Sequence, residues 1–143
     1  MSMTHTRDGA AALARLRHAL TDGSLSDAAQ RHGLALVVLF GSAAEPTDNS
    51  PGDVDLAWDT GTTRNDLVGL TSDLLGLLGD AVHVMDLDRA GPVARQRALT
   101  RGEVLLQREA GAYATRQMRA MRDYADTAYL RRRQLALLAE TGT

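Results

Sequence analysis

A chain of 143 residues with a formal net charge of −2 and 44% hydrophobic residues is long enough for one core and too apolar to be disordered. The near-neutral balance argues against general nucleic-acid binding, and no stretch nears the ~18 apolar residues of a membrane span. The absence of cysteine excludes disulfides, thiolate metal sites and a cysteine nucleophile, and with no apolar leader in residues 1–8 it fits a cytoplasmic protein.

Aromatic residues are only 3% of the chain, so the core must be built mainly from Leu, Val and Ala. Residues 8–20 carry Leu13, Leu16 and Leu20 at helical spacing, and Asp22-Gly23 ends the run, which predicts a helix. Ser26 can cap a short second helix over 27–32, stopped by Gly33. Residues 34–40 (LALVVLF) are continuously apolar, which at this length predicts a strand buried on both faces. Residues 41–52 have turn chemistry, with Gly, Ser, Pro, Asn and Asp. Over 53–59, Val54, Leu56 and Trp58 alternate with acidic or small residues, a second strand of period two.

Thr63 or Asn65 caps a helix running to about Leu78, with Leu67, Leu70, Leu74, Leu77 and Leu78 on its inner stripe. Residues 81–87 read as a third strand, Pro92 opens a helix to about Arg101, and Val104, Leu105 and Leu106 form a short fourth strand. Residues 112–139 read as one long helix, with Met118, Met121, Ala125, Ala128, Leu135 and Leu138 available for burial, roughly 40 Å long at ~1.5 Å per residue. That exceeds what a core of this size needs, so part of it can serve a partner. No repeat or linker divides the chain. The expectation is therefore a single domain over 1–143, of α/β (α+β) class, with one mixed sheet of about four strands.

Charge is unevenly spread. Every basic residue is an arginine, and six of the 16 (Arg116, Arg119, Arg122, Arg131, Arg132 and Arg133) fall in the last segment. Acidic residues concentrate between Asp48 and Asp88. An acidic middle beside a basic tail suits a metal site near a partner-binding helix, although composition alone reads as solvated surface.

Gly41-Ser42 follows directly on the first strand. Glycine there lets the backbone turn sharply and approach a ligand closely. The Ser42 hydroxyl and nearby backbone N–H groups can then hold a phosphate. Asp53 and Asp55 are two apart on a strand, so their carboxylates share a face. Two carboxylates this close repel each other, and a divalent cation such as Mg²⁺ relieves that repulsion. A lone Gly-Ser is common and a lone Asp-x-Asp is often turn chemistry. Together, flanking two apolar strands at a defined interval, they are far more specific. A phosphate cradle facing a paired-carboxylate metal site is the apparatus of phosphoryl or nucleotidyl transfer.

Leu39-Phe40-Gly41-Ser42, a spacer of ten residues and Asp53-Val54-Asp55-Leu56-Ala57 resemble the minimal nucleotidyltransferase (MNT) proteins of the DNA polymerase beta-like superfamily. Asp86-Leu87, Arg89-Ala90, Pro92 and residues 102–106 (GEVLL) also look like later segments of that family. The resemblance implies a nucleotidyltransferase fold and an antitoxin paired with a HEPN-domain ribonuclease toxin, as a hetero-oligomer. It further implies transfer of AMP from ATP to a tyrosine of that toxin. Gly41 and Ser42 would hold the triphosphate, and Asp53 and Asp55 would bind Mg²⁺ or Mn²⁺.

Two positions depart from the family pattern. Members often carry arginines shortly after Gly-Ser, where this loop reads Ala43-Ala44-Glu45-Pro46. The third carboxylate of the family, three residues before the Asp-Leu pair, is replaced by His83. Asp86 and Asp88 have the opposite strand parity, so neither substitutes. His83 is then one of two things: a general base or ligand facing Asp53 and Asp55, or a partly buried histidine beside Met85 and Leu87. In the first case Mn²⁺ suits the imidazole better than Mg²⁺ does. The departures set a second reading beside the enzyme, an antitoxin that neutralises its toxin by contact alone. The retained Asp53 and Asp55 favour the enzyme, because a pure binding module has no need of two crowded carboxylates.

Among the remaining residues, Trp58 is expected in the core, and His18 and His32 on helix surfaces. Glu103 is expected to be exposed. Tyr113, Tyr124 and Tyr129 suit either an interface or ordinary packing. Arg131, Arg132 and Arg133 read as a solvated helix end or a partner's rim.

Overall fold

A computed structural model of the chain describes residues 9–44, 54–60 and 67–141. Among these, four strands and six α-helices follow in the order α1 (Gly9–Asp22), α2 (Ser24–Arg31), β1 (Leu36–Phe40), β2 (Val54–Asp59), α3 (Leu67–Leu78), β3 (Val82–Asp86), α4 (Pro92–Arg101), β4 (Glu103–Gln107), α5 (Ala112–Asp126) and α6 (Ala128–Thr141). A single 3-10 turn, Gly41–Ala44, follows β1.

The sheet order is β3-β2-β1-β4. β1 runs antiparallel to both β2 and β4, and β2 runs parallel to β3. The period-two pattern of the strands sorts their side chains into two apolar layers. On one face Val37, Leu39, Leu56, Trp58 and Val82 pack with Leu16 of α1, Leu25 of α2 and Leu70, Leu74 and Leu78 of α3. On the other face Leu36, Val38, Ala57 and Leu87 pack with Ala98 and Leu99 of α4 and Ala112 and Ala120 of α5. β1 is therefore covered on both sides, as its continuous apolar run requires. Removing a fully buried leucine such as Leu56 to Ala costs about 2–5 kcal/mol in cores of this kind.

Most element positions agree with the sequence reading; α4 begins at Pro92 and ends at Arg101 as expected. α2 differs. It starts at Ser24, two residues before the expected cap, so Ser26 lies inside it. Gly23 turns into the left-handed region (φ 86°), and the Asp22 carboxylate accepts hydrogen bonds from the Ser24 backbone N–H and hydroxyl. That local bond opens the helix early. The expected caps of α3, Thr63 and Asn65, lie outside the described residues, as does the side chain of Leu67.

The long last helix is present as α5 and α6, with its one irregular position at Thr127. Hydrogen bonding continues through that position: Thr127 N–H donates to Asp123 O, and Arg131 N–H donates to Thr127 O. Arg131 also folds back, donating to Thr127 Oγ1 (2.6 Å) and Tyr124 O (2.7 Å) with its guanidinium 3.7 Å from the Tyr124 ring centroid. This residue of the arginine run therefore braces the junction, while Arg132 and Arg133 are exposed.

Candidate active site

The site is built where three neighbouring strands end on one face. Register aligns Phe40 of β1 with Asp55 of β2, and Asp55 with His83 of β3. Paired positions in neighbouring strands project to the same side. Asp55 is therefore flanked by Phe40, which packs against the α4–α5 layer, and by His83. His83 Nδ1 lies 3.4 Å from Asp55 Oδ1, with the histidine side chain 51% exposed and the aspartate 26% exposed. The alternative of a buried histidine is thereby set aside.

Gly41 opens the turn after β1 with φ at 75°, a backbone conformation that costs a residue with a side chain about 1–2 kcal/mol. A Cβ at this position would also collide with Asp55 Oδ2. The glycine thus lets the turn close directly against the Asp55 carboxylate. Ser42 continues the same turn by its backbone. Asp53, the second expected carboxylate, lies outside the described residues. Among the described residues no three His, Cys, Asp or Glu side chains come close enough to hold a metal ion. Of the five expected site residues, the structure brings together Gly41, Ser42 (by its backbone), Asp55 and His83. The Asp86 carboxylate accepts a hydrogen bond from the Asp88 backbone N–H, 3.0 Å away, so it shapes its own turn.

The sequence reading missed a second polar cluster on the same sheet face, at the far end of β2. Asp59 is 1% exposed and accepts a short hydrogen bond from Arg116 Nε of α5. Next to it, Arg95 of α4 donates to Leu87 O (2.8 Å), Ala90 O (2.7 Å) and the Asp123 carboxylate of α5 (3.2 Å). Burial, then the nearby negative charges of Asp59 and Asp86, push the Asp88 carboxyl above its ordinary range. A signal for this cluster was available: Asp59 shares strand parity with Ala57, on a face that helices must cover, so its charge needed a partner.

Other polar residues are structural. Arg17 of α1 holds both Glu103 oxygens, at 2.7 and 2.9 Å, and this bond keeps the Glu103 carboxyl below its ordinary range. Glu103 remains 45% exposed, as expected. His18 lies on the helix surface, its side chain 77% exposed. His32 does not, because it bonds Asp73 of α3 at 2.6 Å and is only 16% exposed. Trp58 is buried as expected. Tyr113 donates its hydroxyl to Leu99 O and Tyr124 lies under Arg131, so both are occupied within the chain, whereas Tyr129 is exposed.

Comparison with known proteins follows this geometry. The family model described as polymerase beta, nucleotidyltransferase matches residues 24–110, more than half of the chain and all of the site. Several solved structures share the fold. A mutant MntA–HpeT toxin–antitoxin complex matches at 20% identity and a TM-score of 0.64, over 85% of this chain and 98% of the matched one. A toxin–antitoxin structure with AMP-PNP matches at 19% identity and 0.62, over the same shares. The complex of a tri-AMPylated Shewanella oneidensis HEPN toxin with its MNT antitoxin matches at 20% identity and 0.62, over 87% of this chain and 98% of that one. No curated protein matches significantly. No helix among the described residues is long and apolar enough to cross a membrane.

Proposed function

Because the chain belongs to the polymerase beta nucleotidyltransferase family, we propose that it is an MNT-type antitoxin that transfers AMP from ATP to a tyrosine of a HEPN-domain toxin. The observation that carries this reading is the meeting of the Gly41 turn with the Asp55 carboxylate beside His83. The structural relatives add support: one of their complexes contains AMP-PNP and another a tri-AMPylated HEPN toxin.

In the proposed reaction the tyrosine oxygen attacks the α-phosphorus of ATP, the bond to the β-phosphate oxygen breaks, and pyrophosphate leaves. Backbone N–H groups of Gly41 and Ser42 hold the triphosphate. Asp53 and Asp55 would hold Mg²⁺ or Mn²⁺, which would supply charge neutralisation at the phosphates. The oxygen donors of the Asp55 carboxylate suit such an ion. His83 takes the proton of the attacking hydroxyl, and Asp55 orients the imidazole.

A second reading is supported by His83 itself, which stands where the family has a carboxylate, and by the loop Ala43-Ala44-Glu45-Pro46, which lacks arginine. In that reading the protein neutralises its toxin by contact and catalysis is weak or lost. Calorimetric titration of ATP with Mg²⁺ separates site from scaffold. The wild type is expected to bind, and the Asp53→Asn, Asp55→Asn double variant to lose cation-dependent binding while keeping its fold. Equal affinity in both would sink the metal-site assignment.

A further inference from the structure

The inner side of α5 is fully engaged: Ala112 and Ala120 are buried, Tyr113 and Gln117 bond Leu99 O, and Arg116 meets Asp59. The outer side is engaged by nothing among the described residues. Met118, Met121, Ala125, Ala128, Leu135 and Ala139 follow one another at steps of three and four with a single gap, which Arg132 fills. This seven-residue pattern runs through α5 and α6 over roughly 33 Å at ~1.5 Å per residue. Met118 is 65% exposed, Met121 53% and Leu135 65%, and α6 buries no residue at all. Methionine adapts to irregular surfaces, and central alanines let a second helix approach to ~8–10 Å.

We propose that this stripe docks an amphipathic helix of the partner protein whose polar border is acidic. The proposal rests on the reading of the chain as one half of a two-protein pair. The repeat selects a helix, because a stripe of period 3.5 is matched by another of the same period. Charge selects an acidic one. Apart from Arg116, held by Asp59, Arg131, folded back on Tyr124, and Asp123, held by Arg95, residues 112–141 carry Arg119, Arg122, Arg132 and Arg133 against Asp126 and Glu140, and Arg132 stands within the stripe itself. A second copy of this chain would oppose that surplus with the same surplus, whereas an acidic border satisfies it. The interface so defined is the methionine–alanine side; Tyr113 and Tyr124 are taken up by packing within the chain.

The chain has no cysteine, so one introduced at Ala125 carries a unique benzophenone label. In the complex with the co-expressed HEPN protein, irradiation is expected to join Ala125→Cys to an acidic-bordered helix of that protein. The same label at Val68→Cys, 80% exposed on α3, is expected to give no adduct. Ala125→Glu, at an exposed position, is expected to raise the Kd for the HEPN protein by at least about 100-fold, because it sets like charges together. Equal affinity for wild type and Ala125→Glu would overturn the stripe. So would an adduct with a second copy of this chain, or with a basic or non-helical surface of the HEPN protein. Binding of the HEPN protein that survives Ala125→Glu leaves the antitoxin reading standing. Failure of the wild type to bind it would overturn both.

Discussion

Replacing Gly41 with Ala is expected to lower AMP transfer by about 100-fold or more while the chain still folds. Two effects add. The left-handed backbone at φ 75° costs a residue bearing a Cβ about 1–2 kcal/mol. The new Cβ also falls on Asp55 Oδ2, so either the turn or the carboxylate must move. A shift of roughly 1 Å in a reacting geometry is enough for a loss of this size. The check is a rate measurement at saturating ATP together with a thermal melt. A cooperative melt with the rate lost is the expected pair. Wild-type rates in the Ala variant would mean that the Gly41 turn is not part of the site.

Replacing Arg116 with Met is expected to destabilise the fold by about 3–5 kcal/mol, the range for breaking a buried pair from one side. Asp59 would keep its charge at 1% exposure after losing the guanidinium that bonds it. The apolar double variant Asp59→Leu, Arg116→Met is expected to recover most of the loss, since it removes the uncompensated charge along with the pair. Urea unfolding reads both: the midpoint falls in the single variant and returns in the double, with slopes unchanged. An unchanged midpoint in Arg116→Met would show that Asp59 is held by its other neighbours.

The contrast between these two sites shows what a sequence carries. Gly41, Ser42, Asp53 and Asp55 lie within fifteen residues at the ends of two apolar strands, so the proposed site was legible as a pattern, of which the structure shows the Gly41 turn against Asp55. His83 was legible as a position but not as a contact. Only the parallel register of β2 and β3 puts it opposite Asp55. Asp59 and Arg116 are 57 residues apart, on a strand and a helix whose packing no local periodicity announces. The same holds for His32, which reads as a surface residue at the end of a helix and is covered by Asp73 of α3. Helix starts were displaced where a side chain bonds the backbone locally, as Asp22 does at Ser24. The length of the last helix was legible. Which of its sides faces the sheet was misread: the stripe of Met118, Met121, Ala125, Leu135 and Leu138 expected to be available for burial is exposed, because Met, Ala, Tyr and Arg recur on every side of the helix. The structure settles this by burying Ala120 and exposing Met118 and Met121.

The most direct test of the central claim is mass spectrometry of the HEPN protein after incubation with this chain, ATP and Mg²⁺ or Mn²⁺. The wild type, Asp55→Asn, His83→Ala and His83→Asp are compared. The account predicts that the wild type adds AMP to a tyrosine of the HEPN protein. It also predicts that Asp55→Asn and His83→Ala each lose the added mass while still binding the HEPN protein. An inactive wild type that gains activity in His83→Asp would contradict the account and identify an antitoxin that acts by contact. Equal AMP transfer by all four proteins would contradict it more deeply, because the pair at 3.4 Å between β2 and β3 would then lie outside the reaction.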